Sequence, residues 1–140
     1  MAAFWRNWLT VWAWAVALFG LALAGAGLEA AEGPTRLLFG VLNGPEPLVL
    51  NAQMRFAMAL MGAVTCGWAL TLLVTFDAAH KLGAQAGPTW RGVIASAGAW
   101  YVIDSGLSIA TGFGLNAVSN TALLAGLLVP LLASGVLRKA

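Results

Sequence analysis

Residues 56–76 read FAMALMGAVTCGWALTLLVTF, an unbroken run without a charge, bounded by Arg55 and Asp77. An α-helix rises 1.5 Å per residue, so a run of about 20 residues reaches roughly 30 Å, the thickness of bilayer hydrocarbon. Working outward, three more such windows appear. One runs from Trp8 to Leu28, one from Gly92 to about Phe113 with Asp104 as its only charge, and one from about Ala117 to Leu137. The uncharged stretch from Ser105 to Leu137 is too long for one span. Gly112-Phe113-Gly114-Leu115-Asn116 near its middle suits a tight turn, which divides it. The chain is therefore expected to be an all-α integral membrane protein, a four-transmembrane-helix bundle. It has a single membrane domain, residues 1–140, with spans near 8–28, 56–76, 92–113 and 117–137.

Composition agrees. Hydrophobic residues make up 61% and charged residues 9%, against about 25% charged in ordinary soluble domains; mean hydropathy is +0.86. The net charge of +2 comes from seven scattered basic residues, which argues against a nucleic-acid surface and for basic residues that report orientation. The single cysteine, Cys66, lies in an apolar run and has no partner for a disulfide or a thiolate metal site. The single histidine, His80, is read as lying in a polar loop, so no metal centre is expected. The first window follows Arg6 and contains Ala22-Leu23-Ala24, which could suit a signal peptidase. Its length and its tryptophans (Trp5, Trp8, Trp12, Trp14) point instead to a retained span.

The one long connection runs from Glu29 to Arg55. Pro34 suits the first turn of a helix and Asn43-Gly44 its end, so residues 34–43 are expected to form a short interfacial helix in the first outer loop. Pro45 and Pro47 then enforce an extended approach to the second span. Arg6, Lys81, Arg91, Arg138 and Lys139 fall on one side of the four-span layout, and Arg36 and Arg55 on the other with Glu29, Glu32 and Glu46. The positive-inside rule then puts both termini and the middle loop in the cytoplasm.

Helix association within lipid depends on close backbone approach, which small residues permit. Ala17, Gly20 and Ala24 mark such a face in the first span, Ala59, Gly62, Cys66 and Ala69 in the second, and Ala95, Ala99 and Gly106 in the third. Trp5, Trp8 and Trp90 sit where an aromatic belt is expected; Trp12, Trp14, Trp68 and Trp100 lie deeper and are read as space-filling.

Asp104 breaks the pattern. A carboxylate within a span costs about 2.5–3.5 kcal/mol on insertion scales and should face the protein interior. It is placed near the middle of the third span. Tyr101, Asp104, Ser108 and Thr111 share a helical stripe that Ser105 flanks. Tyr101, Ser108, Thr65, Asn116, Asn120 and Arg55 are its candidate donors. Three roles stand: a hydrogen-bonded clamp fixing helix register, a proton, cation or amine site, and an interface with another membrane subunit. The ligand or proton site would comprise Asp104, Tyr101, Ser105, Ser108, Thr111 and Arg55. No nucleophile motif, phosphate loop, His-Glu metal pair or carboxylate dyad occurs, so neither catalytic residues nor a cofactor is expected.

The stretch Trp100-Tyr101-Val102-Ile103-Asp104-Ser105 and the turn from Asn116 to Asn120 resemble small four-span proteins of bacterial inner membranes. That resemblance implies the span layout and brings no activity with it. The function expected is a non-enzymatic accessory, assembly or interaction subunit of the inner membrane, partnered by lipid and by a homo-oligomer or larger membrane complex. The alternative is a small transporter or ligand-binding protein anchored on Asp104.

Overall fold

A computed structural model describes residues 1–137; Arg138 and Lys139, counted above for orientation, lie outside the described residues. Among those described, the chain is all-helical: α1 (Ala3–Gly25), α2 (Gly33–Leu42), α3 (Ala52–Leu82), α4 (Gly87–Ala110) and α5 (Gly114–Ala133), with 3-10 turns at Glu29–Ala31 and Gly83–Ala86. Three helical stretches are long and apolar enough to cross a membrane: Ala3–Gly25, the continuous stretch Ala52–Ala110, and Gly114–Ala133.

The boundaries differ from the apolar windows because helices are ended by caps, not by charges. α3 starts four residues ahead of its window, where the Asn51 side chain accepts a 2.9 Å hydrogen bond from the Met54 amide. It continues through Asp77 and Lys81, an i,i+4 ion pair at 2.6 Å. α4 starts at Gly87, not Gly92, because Pro88 sits in its first turn, where a missing N–H costs nothing. α4 ends in a Schellman motif: Phe113 N donates to Ser108 O at 2.8 Å and Gly112 N to Ile109 O at 3.2 Å, with Gly112 at φ +87°. The turn expected at residues 112–116 is thus formed, although α5 resumes sooner, at Gly114, and stops at Ala133 instead of Leu137.

α1 and α3 meet through glycine. A Cβ on Gly20 would lie 2.6 Å from Cys66 N and 2.8 Å from Gly62 O, and one on Gly62 would overlap the Ala24 backbone. Ala17 and Ala69 continue the same seam as buried residues. The small-residue faces expected on these two helices therefore face each other. The one expected on α4 does not: Ala95, Ala99 and Gly106 are exposed, and nothing approaches Gly106 within 4 Å. α4 instead turns Trp90, Val93, Ala97, Ser105 and Ser108 inward. Large side chains fill that seam, so backbone approach is not its basis. Phe76 with Trp90 (ring centroids 5.8 Å apart) and Trp68 with Trp100 (5.8 Å) join α3 to α4.

α5 carries Pro130 within its helix. Proline has no N–H, so the carbonyl four residues earlier, Gly126 O, loses its helical donor. The Trp8 indole of α1 supplies one, at 2.8 Å. One turn along α1, the Trp12 indole donates to Leu123 O at 3.0 Å, and the space for it exists because Gly126 has no Cβ.

α2 packs on the far ends of α1 and α3, where Leu38 and Phe39 rest on Leu23, Ala26, Leu50 and Met58. It also completes the end of α1. Ala26 N bonds Leu23 O, which leaves Ala22 O for the fully buried Thr35 hydroxyl at 2.8 Å. Ala26 O accepts from Arg55 Nη1 at 3.1 Å. Arg55 Nη2 lies 2.6 Å from Glu32 Oε2, and Arg36 Nε donates to Glu32 Oε1 at 2.5 Å. The Arg55–Glu32 contact is one of charge without hydrogen-bond alignment, since Glu32 Oε2 is buried and has no aligned donor.

Candidate functional site

The antiparallel packing of α4 on α5 brings the polar residues of the two helices together. Asp104 Oδ1 accepts three hydrogen bonds: from Ser108 Oγ at 3.1 Å, Asn116 Nδ2 at 2.8 Å and Asn120 Nδ2 at 2.8 Å. Ser108 is one turn along α4, on the same face as Asp104. Asn116 and Asn120, one turn apart at the start of α5, present both amides to α4. Each amide is shared: Asn116 Nδ2 also lies 2.8 Å from Ser108 Oγ, and Asn120 Nδ2 lies 3.3 Å from Ser105 Oγ. Ser105, Ser108 and Asn120 are buried, and Asp104 is half-buried.

Asp104 is not near the middle of its helix. α4 runs from Gly87 to Ala110, so Asp104 lies well past its middle, six residues before its last residue, or about 9 Å from that end. The carboxylate therefore sits beside the first two turns of α5, at the positive end of that helix. Among the described residues, no other acidic residue is part of the cluster.

Of the residues proposed from sequence, the structure assembles Asp104, Ser105 and Ser108, and the donors Asn116 and Asn120. The others lie elsewhere. The Tyr101 hydroxyl pairs with Thr121 Oγ1 at 3.0 Å, one turn further along the same α4–α5 seam. Thr111 is exposed and its hydroxyl bonds Leu107 O and Ser108 O of its own helix, so it ends α4 and does not join the cluster. Arg55 is committed to Glu32 and Ala26 O. Thr65, on α3, makes no hydrogen bond to Asp104. Asp104 Oδ2 accepts no hydrogen bond from a described residue, whereas Oδ1 takes three.

His80, read from sequence as a loop residue, is in the last turn of α3. Its Nε2 lies 3.4 Å from Met1 Sδ and its ring centroid 5.5 Å from that of Trp90. Among the described residues, no group of three or more His, Cys, Asp or Glu is placed to hold a metal ion. Sequence reasoning passed over Pro130 and Asn51. Proline four residues after a glycine carbonyl inside a span, and asparagine just ahead of an apolar run, are the signals that mark them.

Comparison with protein-family models, curated proteins and solved structures finds no match.

Proposed function

We propose that the chain is a four-span membrane protein acting as a non-enzymatic accessory, assembly or interaction subunit, in which Asp104 is a clamp between α4 and α5. The observation that carries this is the concentration of three donors on Asp104 Oδ1, two of them from the opposing helix. A carboxylate used this way fixes the register of two helices where apolar burial gives little drive for association.

The four-span count is supported by the contacts of the 59-residue stretch. The pairs Phe76–Trp90 and Trp68–Trp100 put α4 back along α3 in the opposite direction, which supports reading the turn at 83–86 as the division between two spans. α2, with Leu37 and Val41 exposed and Leu42 buried, fits an amphipathic helix lying at the outer membrane surface. The resemblance implies a bacterial inner membrane, and the charge bias supports placing both termini in the cytoplasm. A periplasm-activated reporter placed after Lys81 is expected to be silent, and activity there overturns the orientation.

A second reading, a small transporter or ligand-binding protein using Asp104 as its proton, cation or amine site, is favoured by one observation: Oδ2 is left without a hydrogen bond. Two substitutions separate the readings. Asp104→Asn keeps an oxygen that accepts from Asn116 and Asn120, whereas Asp104→Leu removes it. A clamp predicts that Asp104→Asn folds and assembles like the wild type while Asp104→Leu is destabilised. A binding site predicts that Asp104→Asn loses pH-dependent ligand binding or flux in reconstituted vesicles.

A further inference from the structure

At the end of the molecule that carries the 83–86 turn, a cavity of about 280 Å³ is lined by Arg6, His80, Gly83, Trp90, Ser134 and Val136, among others. It lies between the start of α1, the end of α3 and the residues after α5. Its charge is one-sided. Arg6 forms no ion pair with any described residue, and the nearby acid Asp77 is engaged by Lys81 at 2.6 Å. The His80 imidazole, beyond the apolar run that ends at Phe76, is held below its ordinary value by burial first and by the Arg6 guanidinium second. Two nitrogen-bearing side chains thus share a pocket that, among the described residues, no carboxylate fills. The buried Trp90 indole backs it, and Ser134, whose hydroxyl donates to Leu131 O at 3.3 Å, borders it.

We propose that this cavity binds a phosphate-type oxyanion, with the Arg6 guanidinium as its charged contact and the His80 imidazole as a further donor. A guanidinium offers paired N–H groups that match two phosphate oxygens. The assignment rests on the membrane reading above, which puts this end at the level of lipid head groups. Phe4, Trp8 and Val11 are exposed on the same helix as Arg6, as suits a helix that enters lipid at this end. The volume suits a head group and not a whole lipid. Two sources share this chemistry: the phosphate of an anionic lipid and free inorganic phosphate.

His80 is the sole histidine, so its imidazole gives one assignable set of NMR signals in a chain purified without a histidine tag. Whether the chain needs detergent for extraction is read first, so failure of the membrane reading shows as a freely soluble chain and not as a silent histidine. The full chain in neutral detergent is titrated with short-chain phosphatidic acid, with inorganic phosphate, and with short-chain diacylglycerol, which lacks the phosphate. A saturable shift of the His80 signals is expected with a phosphate-bearing probe. Its apparent affinity should fall at least about fivefold in Arg6→Gln and be retained in Arg91→Gln, a basic residue of α4 outside the cavity. A response to phosphatidic acid alone assigns the site to lipid; a response to inorganic phosphate assigns it to a free oxyanion. The proposal fails if neither probe moves His80, if diacylglycerol moves it equally, or if Arg91→Gln weakens binding as much as Arg6→Gln.

Discussion

The Trp8 indole nitrogen lies 2.8 Å from the carbonyl oxygen of Gly126, the one carbonyl of α5 that Pro130 deprives of its helical donor. A side chain of α1 thus repairs a defect in the backbone of α5. Trp8→Phe keeps the ring and removes the donor. It is expected to lower stability by about 0.5–1.5 kcal/mol, the scale of interhelical hydrogen bonds in membranes. Pro130→Ala restores an N–H for Gly126 O, so Trp8→Phe should cost less in that background. A double-mutant cycle on thermal unfolding in detergent reads the coupling; additive losses would mean that the two residues act separately.

The seam between α1 and α3 depends on backbone contact at Gly20 and Gly62. Gly62→Ala puts a methyl group into the Ala24 backbone, which cannot move without shifting the whole helix. A loss of about 1–3 kcal/mol is expected, as for overpacking elsewhere. Gly67, five residues along α3, has nothing within 4 Å of its Cβ position. Gly67→Ala should be neutral or slightly stabilising through helix propensity. Equal melting losses for the two variants would show that the glycines act through chain flexibility and not through contact.

Much of this was legible in advance, and what was not has a common cause. Runs of about 20 residues without charge announce themselves, and a carboxylate within one demands donors, so Ser108, Asn116 and Asn120 could be named as partners of Asp104 from sequence. Arg55 was drawn toward Asp104 because both are charged residues near spans. Its better partner, Glu32, lies in the loop, where the fold-back of α2 brings it within 2.6 Å. The inward face of α4 was misread because small residues mark close backbone approach only where a neighbour has them too. Trp68, Trp90 and Trp100 hold α3 and α4 together by bulk. Which carbonyl Trp8 serves is a tertiary fact that no local pattern contains.

The Glu32 cluster predicts an acid-sensitive end. The Glu32 carboxyl is held below its ordinary value of 4.5, first by its hydrogen bond to Arg36 and then by Arg55. A carboxylate whose value is lowered on folding adds stability that is full above the unfolded value and is lost as pH falls through the folded one. The wild type should therefore exceed Glu32→Gln in melting temperature near neutral pH, and the gap should narrow as pH drops below about 4.5. Melting curves in detergent from pH 7 to pH 3 test this. A gap that stays constant over that range would remove the carboxylate charge from the account.

Asn120 is the most deeply buried member of the Asp104 cluster, 4% exposed, and donates to both Asp104 and Ser105. Asn120→Leu leaves the carboxylate with one fewer donor in a setting where water does not replace it. A loss of about 1–3 kcal/mol is expected, the cost of an unmet buried polar group. Asp104→Leu should cost a similar amount for the converse reason, since both amides then lose the carboxylate and keep only Ser108 Oγ and Ser105 Oγ as acceptors. Replacing both residues removes the demand along with the supply. The Asp104→Leu, Asn120→Leu double variant should accordingly unfold at a higher temperature than the sum of the single losses predicts. If the losses simply add, the two side chains do not stabilise the α4–α5 pair through each other, and the clamp assigned to Asp104 is lost with them.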